Sequence, residues 1–375
     1  MHWEVLRATN EHQLRRYGRF LVVELLRPHH VISTSRSNGG QHSDIRYLVN
    51  HQSCEGKDHK ERQSFMMEMG LDQYHDSACR EIALDPSTVA LMGTAANMNY
   101  ASVVERKKND IAVTAVVTAG VQGNAACAGD PTTWRETQNG WEKTTPYAGT
   151  INTILLLNQP LAEGAIAGAV VTMTEAKTAA LQKLSIRSLY SPNFATGTTT
   201  DQFCIAAPQS GAHTLKSTST GVQLGELIAL AVRDATLEAL RWQNGLEVSY
   251  TRSIFHALGS YGLKESNFFA DIAPFLDARN LELLKANANS VFYEPLVAAA
   301  AYAAASVLDR LRHGTLPPDV AKEALRQQAA TLAANLSARR DCWPEFYSQL
   351  AEVDVENPKG ILLAAIAAGW SAKWR

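Results

Sequence analysis

The chain has 375 residues, 46% of them hydrophobic and 19% charged, enough apolar material for a sizeable core and enough length for more than one domain. With 35 Lys and Arg against 37 Asp and Glu and a net charge of −2, it has no electrostatic footprint for nucleic acid or an anionic membrane surface, so neither partner is expected. Five scattered cysteines (Cys54, Cys79, Cys127, Cys204, Cys342) include no C-x-x-C pair, which argues against a disulfide framework or zinc finger and for a reducing, cytoplasmic setting.

The opening stretch MHWEVLRATNEHQLRRYGRF lacks the unbroken apolar core and small-residue cleavage site of a secretory signal and reads as native structure. Strands are predicted at RFLVVELL (19–26), HVIST (30–34), DIRYLVN (44–50) and TVALM (88–92), each short, β-branched and bounded by turn residues. IAVTAVVTAG (111–120) and INTILLLN (151–158) are apolar at nearly every position; such strands are buried on both faces and require a layer on each side of the sheet. Helices are predicted over about 161–184 and over GELIALAVRDATLEALRW (225–242). After about residue 262 the pattern becomes helical throughout, in NLELLKANA, DVAKEALRQQAATLAANLSARR and GILLAAIAAGW. The most hydrophobic run, LVAAAAYAAASVL (296–308), is 13 residues long, too short for a bilayer core that needs about 20. The fold class is α/β or α+β, a mixed sheet layered with helices over 1–260, followed by an all-helical C-terminal region over 261–375.

Four Gly-rich polar clusters adjoin these strands: SRSNGGQHSD (35–44), TAGVQGNAACAGDP (118–131), GTIN (149–152) and ATGTTTDQ (195–202). Gly lets a backbone approach a ligand and the hydroxyls and amides can bind it, although the same residues are also ordinary turn formers. Within TEAKTAALQKL (174–184), helical spacing from Met173 puts Ala176, Lys177, Ala180 and Leu184 on one inward stripe, so Lys177 points at the core. Such a lysine either snorkels along apolar surface or serves as a cation beside developing negative charge. Glu175 lies on the stripe of Gly168, Thr172 and Ala179, where small side chains admit another element. It is a base if that face is buried and an ordinary solvated residue if it is not. From mid-helix, Glu175 and Lys177 cannot both point into one pocket. Gly149-Thr150 and Gly197-Thr198 each place a hydroxyl after Gly, as N-terminal-nucleophile enzymes require, but Thr is common in such loops.

Taken in order and at these separations, VTAGVQGNAACAGDP, GTINTILLLNQPL, VTMTEAKTAALQKL, ATGTTTDQ and QLGELIALAV resemble the adenosylcobinamide amidohydrolase (CbiZ) family, from about residue 30, with SNGG and LVN, to about residue 242. The resemblance implies a hydrolase that cuts the amide joining the aminopropanol arm of adenosylcobinamide to the corrin ring, giving adenosylcobyric acid in corrinoid salvage. The corrinoid is then substrate, with no resident cofactor expected, no residue assigned as a metal ligand, and a metal requirement left open. No G-x-G-x-x-G, Walker, G-x-S-x-G or H-E-x-x-H motif competes.

Amide hydrolysis needs a nucleophile, a stabiliser for the oxyanion and an acid for the leaving amine. Glu175, Lys177 and Asp201 are the catalytic candidates, with Asp201 as base or as an orienter of Lys177. Asn38, Gly39, Gly40, His42, Asn124, Thr150, Asn152, Thr196, Thr198 and His213 are the substrate-binding candidates. Of these, Asn124 and Asn152 suit amide donation to an oxyanion or to the corrin's peripheral amides, and His42 and His213 suit protonation of the departing amine. A family enzyme retuned to another amide, and a corrinoid-binding protein without catalysis, are the alternatives; self-association is left open.

Overall fold

A computed structural model describes residues 2–54, 69–131, 134–137, 140–143 and 149–373. The chain forms two compact units, Met1–Leu246 and Glu247–Arg375. The first contains all the strands among the described residues and belongs to the α+β class. Its first sheet has the order β1-β2-β3-β6-β7, made of β1 (Glu4–Ala8), β2 (His12–Tyr17), β3 (Phe20–Leu25), β6 (Tyr47–Gln52) and β7 (Val89–Thr94). Its second has the order β5-β4-β15-β13-β9-β8, made of β4 (His29–Ser33), β5 (Gly40–His42), β8 (Ser102–Lys108), β9 (Ile111–Ala119), β13 (Ile151–Leu157) and β15 (Gln202–Pro208). Two small ribbons complete the set, β10 (Ala125–Ala126) with β14 (Gly197–Thr198), and β11 (Trp134–Thr137) with β12 (Gly140–Lys143).

The expected mixed sheet layered with helices is present as two stacked sheets, and the apolar strands show why. In β13, Ile154 and Leu156 join Leu21, Val23, Leu48 and Met92 in a core between the sheets. The alternate residues Ile151, Leu155 and Leu157 join a second core under α2 (Glu163–Lys183) and α3 (Gln223–Asn244). The period of two along a strand therefore serves two cores at once. A helix α1 (Leu71–Glu81) covers the outer face of the first sheet, where Tyr74, Ala78 and Cys79 pack on Phe20, Val22, Val49 and Leu91. The unit is layered helix, sheet, sheet, helices.

The predicted strands correspond to β3, β4, β7, β9 and β13, and 44–50 to the start of β6. Strands β1, β2, β5, β8 and β15 were not foreseen. Strand β2 reads HQLRRY, where only His12 and Leu14 are buried, and its alternation is masked by Arg15 and Arg16, which are partly buried and paired with Glu24 and Glu4.

The second unit is helical among its described residues. Helices α4 (Pro295–Arg312), α5 (Pro318–Ser337) and α6 (Lys359–Ala372), with shorter ones, bury Leu325, Ala329, Ala333, Ile366 and Trp370. It begins before the change of texture at about residue 262, because Ile254, Ala257, Leu258 and Tyr261 belong to its core. A Cβ on Gly369 would fall 2.6 Å from Ala333 O, so α5 and α6 meet backbone to backbone there. Among the described residues no helix is long and apolar enough to cross a membrane.

One consequence concerns acid stability. Burial, reinforced by the Arg7 guanidinium and His29, pushes the pKa of His12 down to about 4 from an ordinary 6.5. The unfolded chain takes up this proton below pH 6.5 and the folded chain does not, so stability falls as the pH drops through that window. Urea unfolding should show His12 alone costing the fold about 2 kcal/mol at pH 5 relative to pH 7, and His12→Gln should flatten that dependence. An unchanged pH dependence in the variant would contradict the assignment.

Candidate active site

Because β9 is antiparallel to β13, and β13 parallel to β15, the end of β9 and the starts of β13 and β15 fall at one edge of the second sheet. Three of the four polar clusters are the loops there: 118–131 follows β9, 149–150 precedes β13 and 195–201 precedes β15. The β10–β14 ribbon, with Ala125 opposite Thr198 and Ala126 opposite Gly197, stitches the first loop to the third.

At their centre is Asp201. Its Oδ1 accepts from Ile151 N–H at 3.0 Å and Thr198 Oγ1–H at 2.5 Å. Its Oδ2 accepts from Thr198 N–H at 3.1 Å and from Lys177 Nζ at 2.5 Å. Four donors fill the lone-pair directions of one carboxylate, which fixes it as an anchor for both loops and for the lysine. Lys177 arrives by the predicted route. In α2, Met173, Ala176, Ala180 and Leu184 are buried, and Lys177, on the same stripe, has a side chain only 15% exposed. Thr178 Oγ1 donates to Thr196 O at 3.0 Å, tying the helix to the loop. Lys177 Nζ makes one hydrogen bond among the described residues, leaving two N–H donors for a ligand.

A second cluster adjoins this one through β13. Asn124, fully buried, donates from Nδ2 to Gly149 O at 2.7 Å, while its Oδ1 accepts from Tyr190 Oη–H at 2.6 Å and from Thr199 Oγ1–H at 2.8 Å. Since the carbonyl can only accept, the orientation of this amide is fixed by its partners. Thr200 Oγ1 also donates to Gly149 O, at 2.9 Å, and lies 2.7 Å from Thr150 Oγ1. Tyr190, Thr199 and Thr200 were not among the candidate residues. Only the threonines stood in a quoted cluster, and nothing in the sequence marks Tyr190.

The remaining candidates are placed as follows. Thr196 Oγ1 accepts from Ala128 N–H at 2.9 Å and so joins the loops. Glu175 is exposed on the outer face of α2 and is not brought together with Lys177 and Asp201. Its stripe does admit another element one to two turns away: a Cβ on Gly168 would fall 2.6 Å from Thr218 Oγ1, and Thr172 Oγ1 donates to Thr218 O at 2.7 Å. His213 lies beyond the far end of β15, half-exposed, with Asp110 3.9 Å away, at the opposite edge of the sheet. His42, on β5, has its Nε2 2.9 Å from Gly39 O.

Asn38 and Asn152 serve the open edge of β7. Among the described residues strand β7 pairs only with β6, so Val89, Leu91 and Gly93 present backbone groups with no neighbouring strand there. Asn38 Nδ2 donates to Val89 O at 2.9 Å, Ser35 Oγ bonds both Leu91 N–H and O, and Gly93 N–H donates to Gln202 Oε1 at 3.0 Å. Asn152 Nδ2 donates to Gly93 O at 3.1 Å and to Asn50 Oδ1 at 2.8 Å. Asn38 reaches its partners with φ +55°, and Gly39 follows because a Cβ there would fall 1.9 Å from Ser35 O. Side chains thus take the place of a missing strand.

Cys127 lies in the same loop as Asn124. Burial and the Asp130 carboxylate both raise its thiol pKa, opposing the thiolate a nucleophile requires. For Asp130, burial acts upward but hydrogen bonds from Ser188, Ser191 and Cys127 N–H outweigh it, leaving the carboxyl below its usual range. It holds the loop.

The profile of the adenosylcobinamide amidohydrolase family matches residues 5–248, nearly all of the first unit. The chain belongs to this family. An uncharacterized protein of Methanocaldococcus jannaschii is 33% identical over 190 residues, spanning 47% of this chain and 71% of that protein. The family match begins earlier than the motifs recognisable in the sequence, taking in the β1–β2 hairpin, and leaves the helical unit outside it.

Two substitutions test the geometry. Asn152 is fully buried, so Asn152→Ala, which strips a donor from Asn50 and from Gly93, should cost about 3 kcal/mol in urea unfolding; a loss below about 1 kcal/mol would show that the amide does not clamp the sheets. A Cβ on Gly197 would fall 2.3 Å from Asp201 Oδ2 and 2.8 Å from Lys177 Nζ. Gly197→Ala should therefore part the ion pair, seen as a Lys177 ammonium resonance exchanging freely with water, whereas an unchanged, protected resonance would contradict the packing.

Proposed function

We propose that the first unit hydrolyses the amide joining the aminopropanol arm of adenosylcobinamide to its corrin ring, releasing adenosylcobyric acid, and that the chemistry occurs around Lys177 and Asp201. The observation that carries this reading is the Lys177–Asp201 contact of 2.5 Å at the convergence of three loops, in a chain of the amidohydrolase family. Among the described residues no group of three or more His, Cys, Asp or Glu side chains is placed to hold a metal ion.

The roles follow from the hydrogen bonds. Asp201, with every lone pair engaged, orients Lys177 and Thr198. Lys177 brings a positive charge and two N–H donors to where the tetrahedral oxyanion forms, and in a site only 15% exposed that charge acts with less screening than in water. Asn124 Nδ2 donates to Gly149 O and to Thr200 Oγ1, so its part is to hold the loop and the Thr200 hydroxyl in place. The threonine hydroxyls at 150, 198, 199 and 200 supply the nucleophile or hold the attacking water. We place this activity in the cytoplasm, in keeping with the five cysteines without a C-x-x-C pair.

Mass spectrometry of purified protein with adenosylcobinamide should show loss of the aminopropanol arm. Lys177→Met should lower kcat about 10²-fold or more with little change in KM, the pattern of an interaction made in the transition state, and Glu175→Gln should leave kcat within about twofold of wild type. Corrinoid binding without turnover by wild type would favour a binding protein instead.

A further inference from the structure

We infer that the Gly149–Thr150 peptide bond is a self-cleavage site, and that the mature first unit carries Thr150 as a new N-terminal residue. Four features meet at this bond.

The first is the direction of the hydrogen bonds. Gly149 O accepts from Thr200 Oγ1, so the one hydroxyl proton of Thr200 is committed to that carbonyl. The 2.7 Å contact between Thr150 and Thr200 therefore runs from Thr150 Oγ1–H to Thr200 Oγ1. Thr200 stands as a relay from the hydroxyl of residue 150 to the carbonyl oxygen of residue 149. The second is the additional donor on the same oxygen, Asn124 Nδ2 at 2.7 Å, whose amide is held from behind by Tyr190 and Thr199. Two side-chain donors on one carbonyl, beside a hydroxyl in the next residue, form an oxyanion site around a peptide bond of the protein itself.

The third is steric. A Cβ on residue 149 would fall 2.8 Å from Gly120 O and 3.0 Å from Asn124 Cβ, and φ there is +150°. Only glycine lets the carbonyl reach its donors. The fourth is the far side of the bond: Ile151 N–H is held by Asp201 Oδ1 at 3.0 Å, and Thr150 O accepts from Gly120 N–H at 3.0 Å. Thr150 is clamped after the bond as Gly149 is before it, and it is 8% exposed.

The chemistry balances with water alone. Thr150 Oγ1 bonds to the Gly149 carbonyl carbon while its proton passes through Thr200 to the carbonyl oxygen. The C–N bond then breaks as the proton on that oxygen passes to the nitrogen, which becomes the amine of Thr150, the carbonyl re-forms, and an ester joins the two pieces. Water adds to that ester, restoring the Thr150 hydroxyl and leaving a carboxylate on Gly149. The freed α-amine then stands on the same residue as the hydroxyl, where it can act as the base for attack on an external amide. This last step rests on the amide hydrolase reading above; the cleavage does not.

The test is the intact denatured mass of purified wild type, incubated without corrinoid. The expected result is conversion of the full-length mass to two fragments, the second beginning at Thr150 by N-terminal sequencing. Thr150→Ser should still cut and Thr150→Val should remain whole. Thr200→Val, at an exposed position that does not threaten folding, should slow cleavage at least tenfold. A wild type that stays at full-length mass, or a cut that persists in Thr150→Val, overturns the inference. An uncut chain that hydrolyses adenosylcobinamide would overturn it while leaving the proposed function standing, and a cut chain without turnover would do the reverse.

Discussion

One carboxylate holds together the edge where the loops of the second sheet converge. Asp201 receives two backbone N–H groups, one hydroxyl and one ammonium, and each donor comes with a different structural commitment. Ile151 begins the central strand of the second sheet, Thr198 belongs to the ribbon that joins two loops, and Lys177 is the one charged residue on the inward stripe of α2. Pairing inside a protein is costly unless the remaining lone pairs are satisfied, and here they are. The same bonds that make the pair tolerable also fix the positions of the threonines around it.

The layering explains why such a polar cluster can exist beside so apolar a sheet. Strands β9 and β13 are buried on both faces, so their only solvent-facing parts are their ends. Polar function is pushed to an edge, where loops from β9, β13 and β15 converge. The first sheet reaches the same edge through Gly93 on β7, whose backbone is bonded by Asn152 and Gln202. The amides that close the open side of β7 thus hold the two sheets in register beneath the loops.

Much of this was legible in the sequence. Helical spacing alone turned Lys177 inward, and the Gly-rich clusters were correctly set at strand ends, since turn chemistry and hydrophobic period are local properties. The relation between residues was not local. Thr150 lies near Thr200 only because β13 and β15 run parallel with Asn152 opposite Gln202, a register that no single stretch encodes. The same limit hid the second sheet, since strands buried on both faces read alike whether covered by helices or by another sheet. Asn38 shows the converse. Its cluster looked like a ligand loop, yet its amide is spent on Pro86 O and Val89 O, a demand created by an edge strand far along the chain.

Family membership and the geometry of this edge bear on the same question from different sides: the family name points to an amide as the bond proposed to be cut, and the edge gathers a charge, donors and hydroxyls of the kinds that cutting an amide requires. The most direct test is a structure of the Lys177→Met protein with adenosylcobinamide bound. The account predicts the aminopropanol amide among Asn124, Thr150 and Thr198 to Thr200, with its carbonyl turned toward position 177. A corrinoid seated elsewhere, at the opposite edge by His213 or on the helical unit, would contradict it.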